Sequence, residues 1–171
     1  MKKIMSLVLS LTAISAVCAG VLAYVDSITR EPIKATAAVN EQKAIMAVLP
    51  PGTDKIETAG AASVGKDATG KVVGYAAKGV DAGGYGGDVV LMVGFQPDKK
   101  TVVSYKVLQA AETPGLGMKL TTPEFSGQFA GKDGRSLRVK KDGGDIEAIT
   151  SATITSRAVC RAIADAQGKL K

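Results

Sequence analysis

The first 25 residues constrain this chain more than any other part of it. Lys2 and Lys3 precede residues 4–25, which carry no charged side chain and are mostly apolar. About 20 consecutive apolar residues are enough to cross a lipid bilayer as a helix. A cleaved signal peptide would have a shorter apolar core with small residues before the cut, so an uncleaved anchor in residues 1–25 is favoured. Since positive charges stay in the cytoplasm, we expect a single-pass protein of the cytoplasmic membrane whose C-terminal domain faces the periplasm or cell exterior.

The composition excludes several classes of function. The chain has no histidine, which rules out histidine metal ligands and catalysis by an imidazole base. Cys18 and Cys160 are too few for a zinc site or an iron–sulfur cluster. The net charge of +6 is not concentrated in one block, so we expect no nucleic-acid partner. No segment has the pattern of a βαβ unit that binds NAD, and the chain is therefore not a complete pyridine-nucleotide enzyme.

The segment after the anchor, residues 26–52, is predicted to hold a separate juxtamembrane helix. Pro32 is suited to the first position of a helix, and apolar residues follow it at helical spacing. Pro50 and Pro51 then end the pattern, because proline cannot continue a helix. Residues 53–69 are small and polar, and we expect mixed coil there with one short strand.

The remainder of the chain predicts an α+β domain, residues 53–171, with a mostly antiparallel twisted sheet and flanking helices. The strand from residue 88 is too continuously apolar to have one face in water. The elements expected are three strands, a short helix, a hairpin and a closing helix, over residues 71–80, 88–95, 101–108, 123–129, 137–149 and 156–170.

A run of hydroxyl side chains lies where the last strand ends and the closing helix begins. Thr150, Ser151, Thr153, Thr155 and Ser156 fall within seven residues. The first turn of a helix has unpaired N–H groups and a partial positive charge, so it binds phosphate favourably. Serine and threonine also cap helices, although the glutamate or glutamine of a capping box is missing three residues after the last serine. From the residues alone, both interpretations stay open.

Two glycine-containing segments are further candidates. Residues 112–117 read Glu-Thr-Pro-Gly-Leu-Gly, in which proline and glycine suit the centre of a type II turn. Lys119 follows and could neutralise a phosphate or a reduced ring, or simply be exposed. Glycines on both sides of Tyr85 would let main-chain N–H groups approach a ligand while the ring covers it. A plain turn between strands would use the same residues.

Together these segments resemble the G subunit of the Rnf electron-transport complex and the related C subunit of the sodium-pumping NADH:quinone oxidoreductase. Residues 112–117 are identical to a signature of that family, and residues 84–88 are similar to its Gly-Tyr-Gly-Gly-Asp/Glu segment. The hydroxyl run is similar to the family's flavinylation sequence Asp-x-x-Ser-Gly-Ala-Thr-x-Thr-Ser. In this chain Glu147 stands where the family sequence has aspartate. Thr150 stands in place of the serine, and Ser151 stands in place of the glycine.

The resemblance implies an FMN-binding domain with FMN joined through a phosphoester bond to Thr153. It implies a membrane-anchored flavoprotein that transfers electrons within an ion-translocating ferredoxin:NAD oxidoreductase complex, with the other membrane subunits as partners and a flavin transferase for maturation. The residues expected around the cofactor lie in three segments: Tyr85 and Gly86; Glu112, Thr113, Gly115, Leu116, Gly117 and Lys119; Thr150, Ser151, Ala152, Thr153 and Ile154.

Three other functions remain open at this point. The chain could be the equivalent C subunit of the quinone reductase, which uses a different electron acceptor. It could be a stand-alone FMN carrier outside the cytoplasm. It could also be an anchored binding module without redox chemistry, in which the hydroxyl run only caps a helix.

Overall fold

The computed structural model describes residues 2–170, which begin with a single long helix. Helix α1 covers Lys2–Val48 and contains Pro32 in its interior. By length and composition the helix is able to cross a membrane. The prediction of a second helix opening at Pro32 is therefore wrong, because the hydrogen bond that one proline removes does not end so long a helix. Contacts divide the chain into two units, the first ending at Val39 and the second starting at Asn40.

The second unit contains a five-stranded sheet. Its strands lie side by side in chain order and every neighbouring pair is antiparallel, which confirms the predicted α+β class and antiparallel sheet. Residues 53–69 hold two strands rather than one. The strands are β1 (Lys55–Ala59), β2 (Ala62–Lys66), β3 (Val72–Asp81), β4 (Val89–Phe95) and β5 (Val102–Gln109).

Strand β4 is buried along its whole length, as its continuous apolar sequence predicts, because helices cover both of its faces. On one face lies the closing helix α3, Thr153–Gly168. A side chain on Gly79 of β3 would overlap the carbonyl oxygen of Ala162 in that helix. On the other face lies the end of α1, where a side chain on Gly94 would overlap the carbonyl oxygen of Val48. Glycine thus sets the distance of closest approach on each side.

The segment between β5 and α3 differs most from the sequence prediction. The helix expected over residues 123–129 is a short α2, Pro123–Ser126, followed by a 3-10 turn, Gly127–Phe129. The hairpin expected over residues 137–149 is wrong. Lys140–Asp142 forms a 3-10 turn, and a single parallel bridge joins Val139 to Ile146.

Aromatic side chains hold this segment against the sheet. The rings of Tyr105 and Phe129 meet edge to face with centroids 5.4 Å apart, and Phe125 contacts Phe129 in the same way. The Tyr105 hydroxyl donates a hydrogen bond of 2.6 Å to the carbonyl oxygen of Leu120. Leu120 closely follows the turn of residues 112–117. This bond therefore helps to hold that turn at the end of β5.

Candidate functional site

Three separate segments meet at one end of the sheet. Strands β3 and β5 both pair antiparallel with β4, so they run in the same direction and finish at the same end. The loop of residues 82–88 leaves β3 there, and residues 110–117 leave β5 beside it. The start of α3 closes the group. Between these segments lies a pocket of about 580 Å³.

Nine of the thirteen residues expected around a cofactor line this pocket, together with Thr155, which the sequence analysis did not assign. The lining consists of Tyr85, Glu112, Thr113, Leu116, Gly117, Ser151, Ala152, Thr153, Ile154 and Thr155.

The four other expected residues lie close to the pocket but are not part of its lining. Gly86 packs so tightly on residue 111 that a side chain would overlap the Ala111 carbonyl oxygen. Gly115 holds the turn with a φ of 76°. Thr150 and Lys119 line a neighbouring groove of about 390 Å³. These four residues therefore lie near the pocket without lining it.

The hydroxyl run divides into two groups. Thr155 and Ser156 are buried and hydrogen bonded within the protein. Thr150, Ser151 and Thr153 are exposed or half-buried, and within residues 2–170 their hydroxyls form no hydrogen bond. Helix α3 begins at Thr153, and no side chain caps it. The capping interpretation is therefore not what the structure shows, and the N–H groups of the first turn are available to a ligand.

Glu112 connects all three segments of the site. Its buried carboxylate accepts hydrogen bonds from the Tyr85 amide at 2.9 Å, the Gly86 amide at 3.4 Å and the Thr155 hydroxyl at 2.8 Å. A side chain on Gly117 would come within 2.5 Å of the same carboxylate. The single sequence signal for Thr155 is its place in the hydroxyl run, which says nothing about this partner.

An ion pair holds the loop of residues 82–88, here called the glycine-containing loop, on the side away from Glu112. Arg161 donates two hydrogen bonds, of 2.7 and 2.9 Å, to the carboxylate of Asp81. It also reaches the Gly83 carbonyl oxygen at 3.4 Å. The hydrogen bonds from Arg161 keep the pKa of Asp81 below its usual value. Neither residue was singled out from the sequence, because the two are 80 positions apart.

Ser151 adopts a backbone conformation that favours glycine. Its φ is 63°, in the left-handed region, where a Cβ costs about 1 kcal/mol or more. The related flavinylation sequence has glycine at this position. The chain thus keeps a strained serine directly before the helix that begins at Thr153.

The rim of the pocket is apolar. Tyr85, Leu116 and Ile154 are 72%, 42% and 48% exposed around its mouth, which suits a flat ring. Within the part of the chain that the structure describes, no cluster of three metal-binding side chains occurs. Cys160 is buried in the hydrophobic core, and this burial raises the pKa of its thiol to about 11, as is typical of a packing cysteine.

Known proteins are similar to this chain in sequence and in fold. Residues 84–167 match the family described as the FMN-binding domain. The G subunit of an ion-translocating oxidoreductase complex of Methanosarcina acetivorans is 34% identical over 95% of this chain and 92% of its own length. The G subunit of a proton-translocating ferredoxin:NAD(+) oxidoreductase complex of Clostridium ljungdahlii is 34% identical over 90% of this chain and 82% of its own. The crystal structure of Shewanella oneidensis NqrC matches with a TM-score of 0.53 at 24% identity, over 72% of this chain and 66% of that one.

Proposed function

The chain belongs to the family of G subunits of ion-translocating oxidoreductase complexes, and from this premise we propose that it is a membrane-anchored carrier with FMN bound covalently to Thr153. The FMN-binding domain and the G-subunit relatives support an electron-transfer flavoprotein subunit with FMN as cofactor. The covalent bond, the anchor and the individual residue roles are the proposed part.

The observation that carries the proposal is the position of Thr153. It is the first residue of α3 and lines the pocket, and its hydroxyl is free within residues 2–170. A phosphate attached there would meet the unpaired N–H groups of the first turn. In the attachment, the Thr153 oxygen would form a bond to the phosphorus of FMN activated as a phosphoanhydride. The bond from phosphorus to the bridging oxygen would break, and the leaving phosphate would take up the hydroxyl proton. A flavin transferase would supply the activated flavin.

The surrounding residues fit the rest of FMN. Ser151 offers a hydroxyl beside the phosphate. Thr150 and Lys119 lie in the neighbouring groove, from which Lys119 would offset negative charge. The exposed side chains of Tyr85 and Leu116 would bound the isoalloxazine ring, which supplies the redox chemistry. The protein's own share is to hold the cofactor and to shield it on one side from water.

We further propose that α1 anchors the domain to the cytoplasmic membrane, with the domain on its outer face. Lys2 and Lys3 at the start of the chain favour this orientation. A covalent tether suits such a site, because FMN lost outside the cytoplasm is not readily replaced. Other membrane subunits would donate and accept the electrons, as the names of the relatives suggest. Those names also favour a G subunit over a stand-alone carrier.

Expression of the full chain with a flavin transferase tests the assignment. We expect flavin fluorescence to stay with the protein band in a denaturing gel, and to disappear in Thr153→Ala. Thr150→Ala is the matched control, since it removes a free hydroxyl of the same run, and it should retain the fluorescence. Covalent flavin in Thr153→Ala would overturn the assignment of Thr153.

A further inference from the structure

We propose that Thr155 is a positioning residue whose hydrogen bond to Glu112 sets the direction in which Thr153 faces. The proposal rests on the proposed function, because it concerns the attachment of flavin to Thr153. Glu112 and Thr155 are here called the clasp. Neither residue needs to contact the flavin for the clasp to act.

The geometry of the first helical turn couples the two threonines. Thr155 follows Thr153 by two residues, so their side chains point about 200° apart around the helix axis. Thr155 is 1% exposed and donates its hydroxyl hydrogen to Glu112 at 2.8 Å. When this bond turns Thr155 inward, Thr153 is turned away from the core. No side chain caps the helix. The Ser156 hydroxyl also restrains this turn through its bonds with residues 149 and 152, but among the hydrogen bonds of residues 2–170 the bond from Thr155 is the one that ties the turn to residues 110–117.

The other side of the clasp fixes the opposite wall of the pocket. The second oxygen of Glu112 accepts from the Tyr85 and Gly86 amides. Hydrogen bonds to an ionised group are about twice as strong as neutral ones, and this carboxylate is buried. Side chains on Gly84 or Gly117 would come within 2.9 and 2.5 Å of it. The carboxylate is therefore closely packed, and its hydrogen bonds connect the loop of residues 82–88 to the start of α3.

Replacement of the Thr155 hydroxyl tests the clasp in the full chain. Thr155→Val keeps the shape of the side chain and removes the donor, whereas Thr155→Ser keeps the donor. With a flavin transferase present, we expect Thr155→Val to gain covalent flavin at least about tenfold more slowly, since a hydrogen bond to a charged group is lost. Thr155→Ser should stay near the wild-type rate. Amide exchange at Tyr85 and Gly86 should be faster in the valine variant.

Other results separate this proposal from the one on which it rests. Flavin uptake by Thr155→Val at the wild-type rate would overturn the clasp. Absence of flavin from the wild-type chain would overturn the proposed function, while amide exchange at Tyr85 and Gly86 would still report on the clasp. If Thr155→Val does not fold, Glu112→Gln provides the second test. It should slow flavin uptake in the folded protein, and an unchanged rate would contradict the clasp.

Discussion

The hydroxyl oxygen of Ser156 accepts a hydrogen bond of 2.9 Å from the amide of Ile149. The same hydroxyl donates to the carbonyl oxygen of Ala152 at 2.9 Å. Ser156 therefore joins the two ends of the hydroxyl run and closes residues 149–156 into a loop. The last two hydroxyls of the run support the structure, and the first three remain for a ligand.

Ser156→Ala should destabilise the protein by about 1–3 kcal/mol, because the buried Ile149 amide would lose its acceptor. Thr153→Ala is the matched control. The Thr153 hydroxyl has no partner within residues 2–170, so its removal should change the free energy of unfolding by less than about 0.5 kcal/mol. Urea unfolding of both variants checks the difference. Equal effects would contradict the division of the run.

Ser151→Gly should stabilise the fold by about 1 kcal/mol, because glycine adopts a φ of 63° without the strain of a Cβ. Ser151→Ala removes the hydroxyl but keeps the Cβ, and it should give no such gain. Denaturant midpoints of the two variants separate backbone strain from the loss of the hydroxyl. A stabilised alanine variant would show that the hydroxyl and not the backbone is responsible.

Gly94→Ala should destabilise the domain by about 3 kcal/mol, because the new Cβ overlaps the Val48 carbonyl oxygen and forces the end of α1 away from β4. Gly127→Ala is the control, since a Cβ there meets nothing within 4 Å. Thermal unfolding should show a clearly lower Tm for the first variant alone. A similar Tm for both would show that the contact between the end of α1 and the sheet is not close.

The Asp81–Arg161 pair should make the glycine-containing loop sensitive to acid. The folded-state pKa of Asp81 is lowered, so its contribution to stability is present above the unfolded pKa of about 3.9. That contribution is lost as the pH falls through the folded pKa. Asp81→Asn should therefore have a lower free energy of unfolding than wild type near neutral pH. This difference between the two proteins should become smaller below about pH 4. A difference that is constant from about pH 7 to about pH 2 would contradict this role.

The strands that could be predicted from the sequence are those with a strong apolar pattern. Strand β4 is buried along its length and its sequence shows it. Strands β1 and β2 consist mostly of small and polar residues, which give no clear strand pattern. They form strands because they pair with each other. The expected hairpin over residues 137–149 rested on a glycine turn, but Gly143 ends a 3-10 turn there instead, with a φ of 79°.

The site could be predicted in part because its three motifs are local in sequence. The contacts between these motifs could not be predicted from the sequence. Glu112 and Thr155 are 43 residues apart and Asp81 and Arg161 are 80 apart, and only the topology of the sheet brings each pair together. For the same reason Lys119 and Thr150 could be placed near the site but not assigned to the neighbouring groove.

The central claim is that Thr153 carries FMN, and the mass of the protein purified from its native membrane tests it most directly. Trypsin cleavage after Lys141 and Arg157 releases residues 142–157, which contain the whole hydroxyl run. We predict a mass increase equal to FMN less one water on this peptide, with fragment ions that locate it at Thr153. An unmodified peptide, or a flavin on another hydroxyl, would contradict the assignment.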